Sequence, residues 1–186
     1  MRIISGIFKG KKILEPLDIE TRPLKDLTKE SIFNIIKHSK KFKVNLEGAT
    51  ILDLFSGVGS FGIECLSRKA KKVIFVENYK NVLPILKKNL LNLKLRNNFE
   101  ILEKNIYDDN VFYLLNCKFD IIFLDPPYKD KNLGKILINI KNSKILNKDG
   151  ILILHRHKKE KEIFSSDFNI IEEKKYGISK IFFITF

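Results

Sequence analysis

The sequence predicts an α/β fold: a mostly parallel seven-stranded sheet, closed by a C-terminal antiparallel hairpin and preceded by a small N-terminal β-hairpin and helix extension. Three observations lead there. From Thr50 onward, short apolar runs alternate with amphipathic stretches, as in strand–helix–strand units whose helices cover both faces of a parallel sheet. A glycine-rich turn follows the first apolar run. The last two strand-like runs are joined by a link too short for a helical crossover, so they pair antiparallel.

Taken in order, Arg2–Ile13 reads as a small hairpin turning near Lys9-Gly10. Leu27–His38 reads as a helix with Leu27, Ile32, Phe33, Ile35 and Ile36 apolar, and with Thr28 or Asp26 as its cap. The lysine-rich His38–Lys43 reads as a linker, which divides the chain into an extension, residues 1–43, and a main domain, residues 44–186. Thr50–Phe55 is the first strand, and a helical pattern runs from the glycine turn through Arg68. Val73–Glu77, Phe99–Leu102, Phe119–Leu124 and Ile151–Leu154 are further buried strands. Val82–Leu95 and Gly134–Ile140 are the helices among them. Phe168–Glu172 and Ile181–Phe186 form the closing hairpin around Tyr176-Gly177.

Composition narrows the function classes. Hydrophobic residues make up 44% of 186, enough for one sizeable core. Basic side chains outnumber acidic ones 35 to 22, a formal charge of +13, and a polyanion is the simplest partner for such an excess. Cys65 and Cys117 are far apart, match no metal spacing and read as buried free thiols in a reducing cytosol. No stretch is long enough to span a bilayer. A cytoplasmic monomer without a metal is expected.

Leu52-Asp53-Leu54-Phe55-Ser56-Gly57-Val58-Gly59-Ser60-Phe61-Gly62 holds a G-x-G-x-x-G turn between strand and helix. Glycines there permit positive φ and let a ligand approach the backbone. Glu77 ends the next strand, where an acid can bind ribose hydroxyls, with Asn78 beside it. Taken alone, this fits a dinucleotide as well as S-adenosyl-L-methionine. Asp53 tilts the choice, because a carboxylate at that turn repels a diphosphate and favours an ammonium and a sulfonium. A role capping the amides of the turn is the competing reading of Asp53. Phe55, Ser56, Gly57 and Gly59 complete the candidate cofactor set, with Asn105 and Ile106 expected at an adenine ring.

The strongest signal is Asp125-Pro126-Pro127-Tyr128, directly after a buried strand. Two prolines end the strand in a rigid extended bend without an N–H. The amino group of a nucleobase is a poor nucleophile, since its lone pair is delocalised into the ring. The Asp125 carboxylate and the Pro126 carbonyl can accept its two hydrogens and favour a more tetrahedral nitrogen, and Tyr128 can stack on the base. Both motifs fall at the carboxyl edge of the predicted sheet, where open α/β folds bind ligands.

These motifs, in this order, resemble the RsmD family of 16S rRNA guanine-N2 methyltransferases over nearly the whole chain. Arg2-Ile3-Ile4-Ser5-Gly6 and Phe8-Lys9-Gly10-Lys11-Lys12-Ile13 look like that family's opening hairpin. Arg22-Pro23 with Asp26, Glu30, Phe33 and Asn34 matches its R-P-x-x-D-x-x-x-E-x-x-F-N signature. The resemblance implies a Rossmann-like class I methyltransferase fold and S-adenosyl-L-methionine as donor. It further implies a guanine 2-amino group of 16S rRNA, in an at least partly assembled small ribosomal subunit, as acceptor. Arg2, Lys9, Lys11, Lys12 and Arg22 are the candidate RNA contacts. The departures are Leu27 and Thr28-Lys29 where family members often carry basic residues, Asn105 in place of an aspartate, and His155-Arg156-His157 where a strand often ends in an acid. The sequence assigns no function to that triplet. A DNA amino-methyltransferase would want a target-recognition domain, for which the N-terminal segment leaves little room. A glutamine-amide methyltransferase more often begins the tetrapeptide with Asn. A non-catalytic RNA-binding assembly factor is disfavoured by the intact motifs.

Overall fold

A computed structural model of the chain describes residues 1–16, 18, 24–95, 97–128 and 130–186. The helices are α1 (Asp26–His38), α2 (Ser60–Ser67), α3 (Leu83–Asn92) and α4 (Leu133–Asn142), with a 3₁₀ helix at Asp109–Leu114. The strands are β1 (Thr50–Leu54), β2 (Lys72–Val76), β3 (Phe99–Leu102), β4 (Phe119–Leu124), β5 (Leu146–His157), β6 (Asn169–Tyr176) and β7 (Ser179–Thr185). They form one seven-stranded sheet in the order β3-β2-β1-β4-β5-β7-β6. The first five are parallel, and β7 pairs antiparallel with both β5 and β6. The predicted mixed sheet is therefore observed.

Side chains alternate across a strand, and the two cores follow that period. Ile51, Val73, Phe75, Ile121, Phe123, Ile151, Ile153, Ile181 and Phe183 meet α1, α2 and α3 on one face. Leu52, Leu54, Ile74, Val76, Ile122, Leu124, Leu152, Leu154, Phe182 and Ile184 meet α4 and the 3₁₀ helix on the other. Phe61 stacks between Phe33 and Phe123, with ring centroids 5.1 and 3.9 Å away, and so joins α1 to β4 through α2.

The N-terminal extension shares the first of these cores through Ile3, Ile13, Ile32, Phe33 and Ile36. Its hairpin is narrower than predicted. A single antiparallel bridge, Arg2–Lys12, closes a loop held by Ile3 N–H to the Lys11 carbonyl and Ile13 N–H to the Met1 carbonyl. The lysine-rich linker is anchored by Phe42, which stacks on Phe183 at 5.5 Å.

Several expectations need correction. Thr28 does not cap α1: the helix starts at Asp26, no side chain caps it, and Thr28 is buried inside its first turn. β5 runs past Leu154 to His157, because its polar end is buried against partners described below. Cys65 is buried, but Cys117 is only partly so. Among the described residues no helix is long and apolar enough to cross a membrane, and no cluster of His, Cys, Asp or Glu is arranged to hold a metal ion.

Candidate active site

The glycine turn leaves β1 with Phe55, Gly57 and Gly59 all at positive φ, 57°, 55° and 84°. A Cβ on Gly59 would lie 2.5 Å from the Leu86 side chain, so both space and backbone conformation require glycine there. Ser56 Oγ donates to the Asp53 carbonyl at 2.7 Å and to the Val76 carbonyl at 3.1 Å, pinning the turn between β1 and β2. Asn89 of α3 holds the turn from behind, donating to the Val58 carbonyl, and also pairs with the backbone of Leu14.

Asp53 is 1% exposed, and its Oδ2 accepts the Gly62 N–H at 3.0 Å, one of the free donors in the first turn of α2. Burial pushes the Asp53 carboxyl well above its ordinary range; the Gly62 N–H opposes this, and the negative charges of Asp125 and Glu77 add to it. At the end of β2, Glu77 accepts from the N–H groups of Gly57, Asn78 and Tyr79, each at 2.8 Å. Asp53 thus caps an amide of the turn, the competing reading of this residue, and burial favours its uncharged form. Glu77 and Asp125 bring acidic groups to the same edge, which disfavours a diphosphate and suits a cation.

After β3, the Asn105 carboxamide oxygen accepts the Tyr107 N–H at 3.1 Å, leaving its second lone pair for a ligand. Ile106 is buried in the second core. Tyr107, which sequence reasoning missed, meets Phe55 edge-on at 5.8 Å and donates from its hydroxyl to Asp130 at 2.7 Å. Burial, then the bond to Asp130, drives the Tyr107 phenol far up.

Asp125-Pro126-Pro127-Tyr128 follows β4, with Asp125 N–H bonded back to the Leu54 carbonyl. The unassigned triplet at the end of β5 holds it. His155 Nδ1 lies 2.7 Å from Asp125 Oδ1, and its Nε2 lies 2.9 Å from Ser179 Oγ on β7. Arg156 donates to the carbonyls of Pro127 and Tyr128, at 2.8 and 3.0 Å, and its Nε pairs with Glu162. His157 packs against the Tyr128 ring at 5.1 Å. The signal that could have found these residues is strand parity. Asp125 stands two residues past Phe123 and His155 two past Ile153, so both continue the row that faces α1 and α2.

The structure brings Asp53, Phe55, Ser56, Gly57, Gly59, Glu77, Asn78, Asn105, Ile106 and Asp125–Tyr128 to the carboxyl edge. Lys9, Lys11 and Lys12 are exposed but sit elsewhere. The hairpin loop docks at the far end of α2, where Ser67 receives the N–H groups of Ile7 and Phe8. Arg22 and Pro23 lie outside the described residues.

A strand-end tetrapeptide braced from a neighbouring strand stands beside the glycine turn at one edge of the sheet, and comparison with known proteins places that arrangement among methyltransferases. A family model described as Conserved hypothetical protein 95 matches residues 1–185. The chain belongs to this family, that of RsmD. Ribosomal RNA small subunit methyltransferase D of Haemophilus influenzae is 33% identical, over 96% of this chain and 90% of its own. Its namesake in Buchnera aphidicola (subsp. Acyrthosiphon pisum) is 31% identical over 92% and 86%. A solved Haemophilus influenzae structure, described as a candidate methylase, superposes with a TM-score of 0.74 at 30% identity, covering 98% of this RsmD-family chain and 96% of its own.

Proposed function

We propose that the protein is an S-adenosyl-L-methionine-dependent methyltransferase acting on the exocyclic 2-amino group of a guanine in 16S rRNA of the small ribosomal subunit. Its relatives carry the coarser statement, rRNA methylation. The observation that supports an amino group as acceptor is Asp125, held at the carboxyl edge by a buried partner, beside a proline bend that puts no N–H into the site; guanine as the base rests on the family resemblance.

Glu77 would hold the ribose of the donor and Asp53 would shape the turn from beneath by capping the Gly62 N–H, with Gly57 and Gly59 giving backbone access and Asn105 at the adenine. When bound, S-adenosyl-L-methionine supplies a methyl group made electrophilic by its sulfonium. The protein's own part is then positioning and electrostatics. Asp125 and the Pro126 carbonyl accept the two amino hydrogens and localise the nitrogen lone pair. Arg156 fixes the bend through the two neighbouring carbonyls, and Tyr128, braced by His157, stacks on the base.

The test supplies labelled donor with assembled small subunits, free 16S rRNA and DNA, then maps the modified nucleotide. Label on a 2-amino group of guanine in the rRNA is expected; label on DNA alone would sink the reading. Asp125→Ala should bind the donor normally and lose at least about a hundredfold in turnover, within the range of a lost electrostatic contact. Unchanged turnover would remove Asp125 from the mechanism.

A further inference from the structure

Behind Asp125 runs a row of polar side chains that donor binding does not use. His155 is 4% exposed and has one ring nitrogen on Asp125 and the other on Ser179. Ser179 is itself buried, with the Thr28 hydroxyl of α1 at 3.5 Å. A serine hydroxyl can donate or accept, so Ser179 suits the neutral and the charged imidazole alike.

We propose that His155, acting through Asp125, is a positioning residue of the acceptor site and sets the pH dependence of methyl transfer, which is fastest when its ring is neutral. The proposal rests on the amino-methylation reading above. As the nitrogen–carbon bond forms, the carbon–sulfur bond breaks with its electron pair kept by sulfur, and positive charge passes to the amino nitrogen. A full carboxylate charge on Asp125 favours that passage. An imidazolium 2.7 Å from the same carboxylate cancels much of it. A neutral ring donates its Nδ1–H to Asp125 Oδ1 and leaves the other carboxylate oxygen for the amino group. The N–H bond breaks, the electron pair stays on nitrogen, and Asp125 takes the proton on that second oxygen and then releases it to solvent.

Four described residues face His155. Asp125 approaches from the loop after β4, Ser179 from β7, Arg156 from its own strand, and the Tyr128 ring edge-on at 6.2 Å. Burial lowers the pKa of His155, but the charge of Asp125 and its hydrogen bond outweigh burial and Arg156, leaving it above the ordinary 6.5. Histidine is the side chain whose charge changes near neutral pH, and Asp125 shifts that change upward in His155.

The experiment follows wild-type single-turnover methylation of small subunits between about pH 5.5 and 8.5, beside an NMR titration of the histidine rings. The signal of His155 is assigned by its loss in His155→Asn. The wild-type rate should fall about tenfold per pH unit below a midpoint that coincides with the His155 pKa. His155→Asn keeps an N–H for Asp125; it should flatten the profile and lower the plateau about tenfold. Asp125→Asn should lower the His155 pKa, a readout that needs no activity. An active wild-type enzyme with a flat profile across the His155 titration would overturn the inference and leave the proposed function standing. An unmoved His155 pKa in Asp125→Asn would also overturn it. Absence of transfer to any RNA, with the donor bound, would overturn both.

Discussion

Arg156 is 2% exposed, and its three bonds explain why an arginine ends a buried strand. Its planar fork reaches two successive carbonyls, of Pro127 and Tyr128, while Nε pairs with Glu162. A lysine carries one compact charge and cannot span both carbonyls. Arg156→Lys should therefore loosen the tetrapeptide and lower the rate about tenfold, with donor affinity unchanged, because the donor is assigned to β1 and β2. Donor titration and single-turnover rates separate the two effects; a matched loss of affinity would show that Arg156 supports the whole edge. At this scale the sequence was legible in part. Asp125–Tyr128 stand out because two prolines after an apolar run are hard to explain otherwise. His155 and Arg156 were singled out but their role was not legible, since an apolar-run reading stops at Leu154, and polar side chains look solvent-facing until their partners on other strands are known.

Among the elements, α2 couples the glycine turn to the N-terminal hairpin. Asp53 satisfies its first turn through Gly62. Glu64, fully buried, accepts from the N–H groups of Ile4 and Ser5 at 2.8 and 2.9 Å, from Arg68 at 2.9 Å, and faces Lys29 of α1 at 3.8 Å. Burial lowers the Lys29 pKa, and Glu64 and Asp26 oppose it. Glu64→Gln turns an amide N–H₂ toward donors and leaves the buried Lys29 with Asp26 and the Arg2 carbonyl. A loss of about 3–5 kcal/mol of stability in urea unfolding is expected, as for a broken buried pair. A change below about 1 kcal/mol would mean that water reaches the site. Helix packing tolerates little more. A Cβ on Gly62 would lie 2.3 Å from the Phe75 ring, and Gly62→Ala should lower stability by about 1–3 kcal/mol. Element order and the two-faced sheet were legible because periods of two and 3.6 are strong in this chain. The cap of α1 was not, because Thr28 is drawn into the helix by burial near Ser179.

For the whole molecule, the charge of +13 and the placement of the hairpin bear on the RNA contacts proposed for Lys9, Lys11 and Lys12. The loop carrying Lys9 and Lys11 docks at the end of α2 remote from Asp53, the length of that helix away, about 12 Å at 1.5 Å per residue. Lys11 lies over the Phe8 ring at 4.9 Å, so its ammonium is partly preordered on the surface. Phosphate contacts strengthen binding uniformly and carry no base information. Replacing Lys9, Lys11 and Lys12 together by Gln should weaken binding to small subunits and lower the slope of log affinity against log salt by about two to three, at roughly 0.7–0.9 per phosphate contact. Donor binding should not change, because the three lysines are exposed and the turn at Asp53 is held from its own strands. The methylated position should not change either, since the choice of guanine would lie at the Asp125 edge. An unchanged salt slope would exclude the hairpin from the RNA interface and shift the footprint to basic surface elsewhere. A changed methylation position would mean that the hairpin sets register as well as affinity.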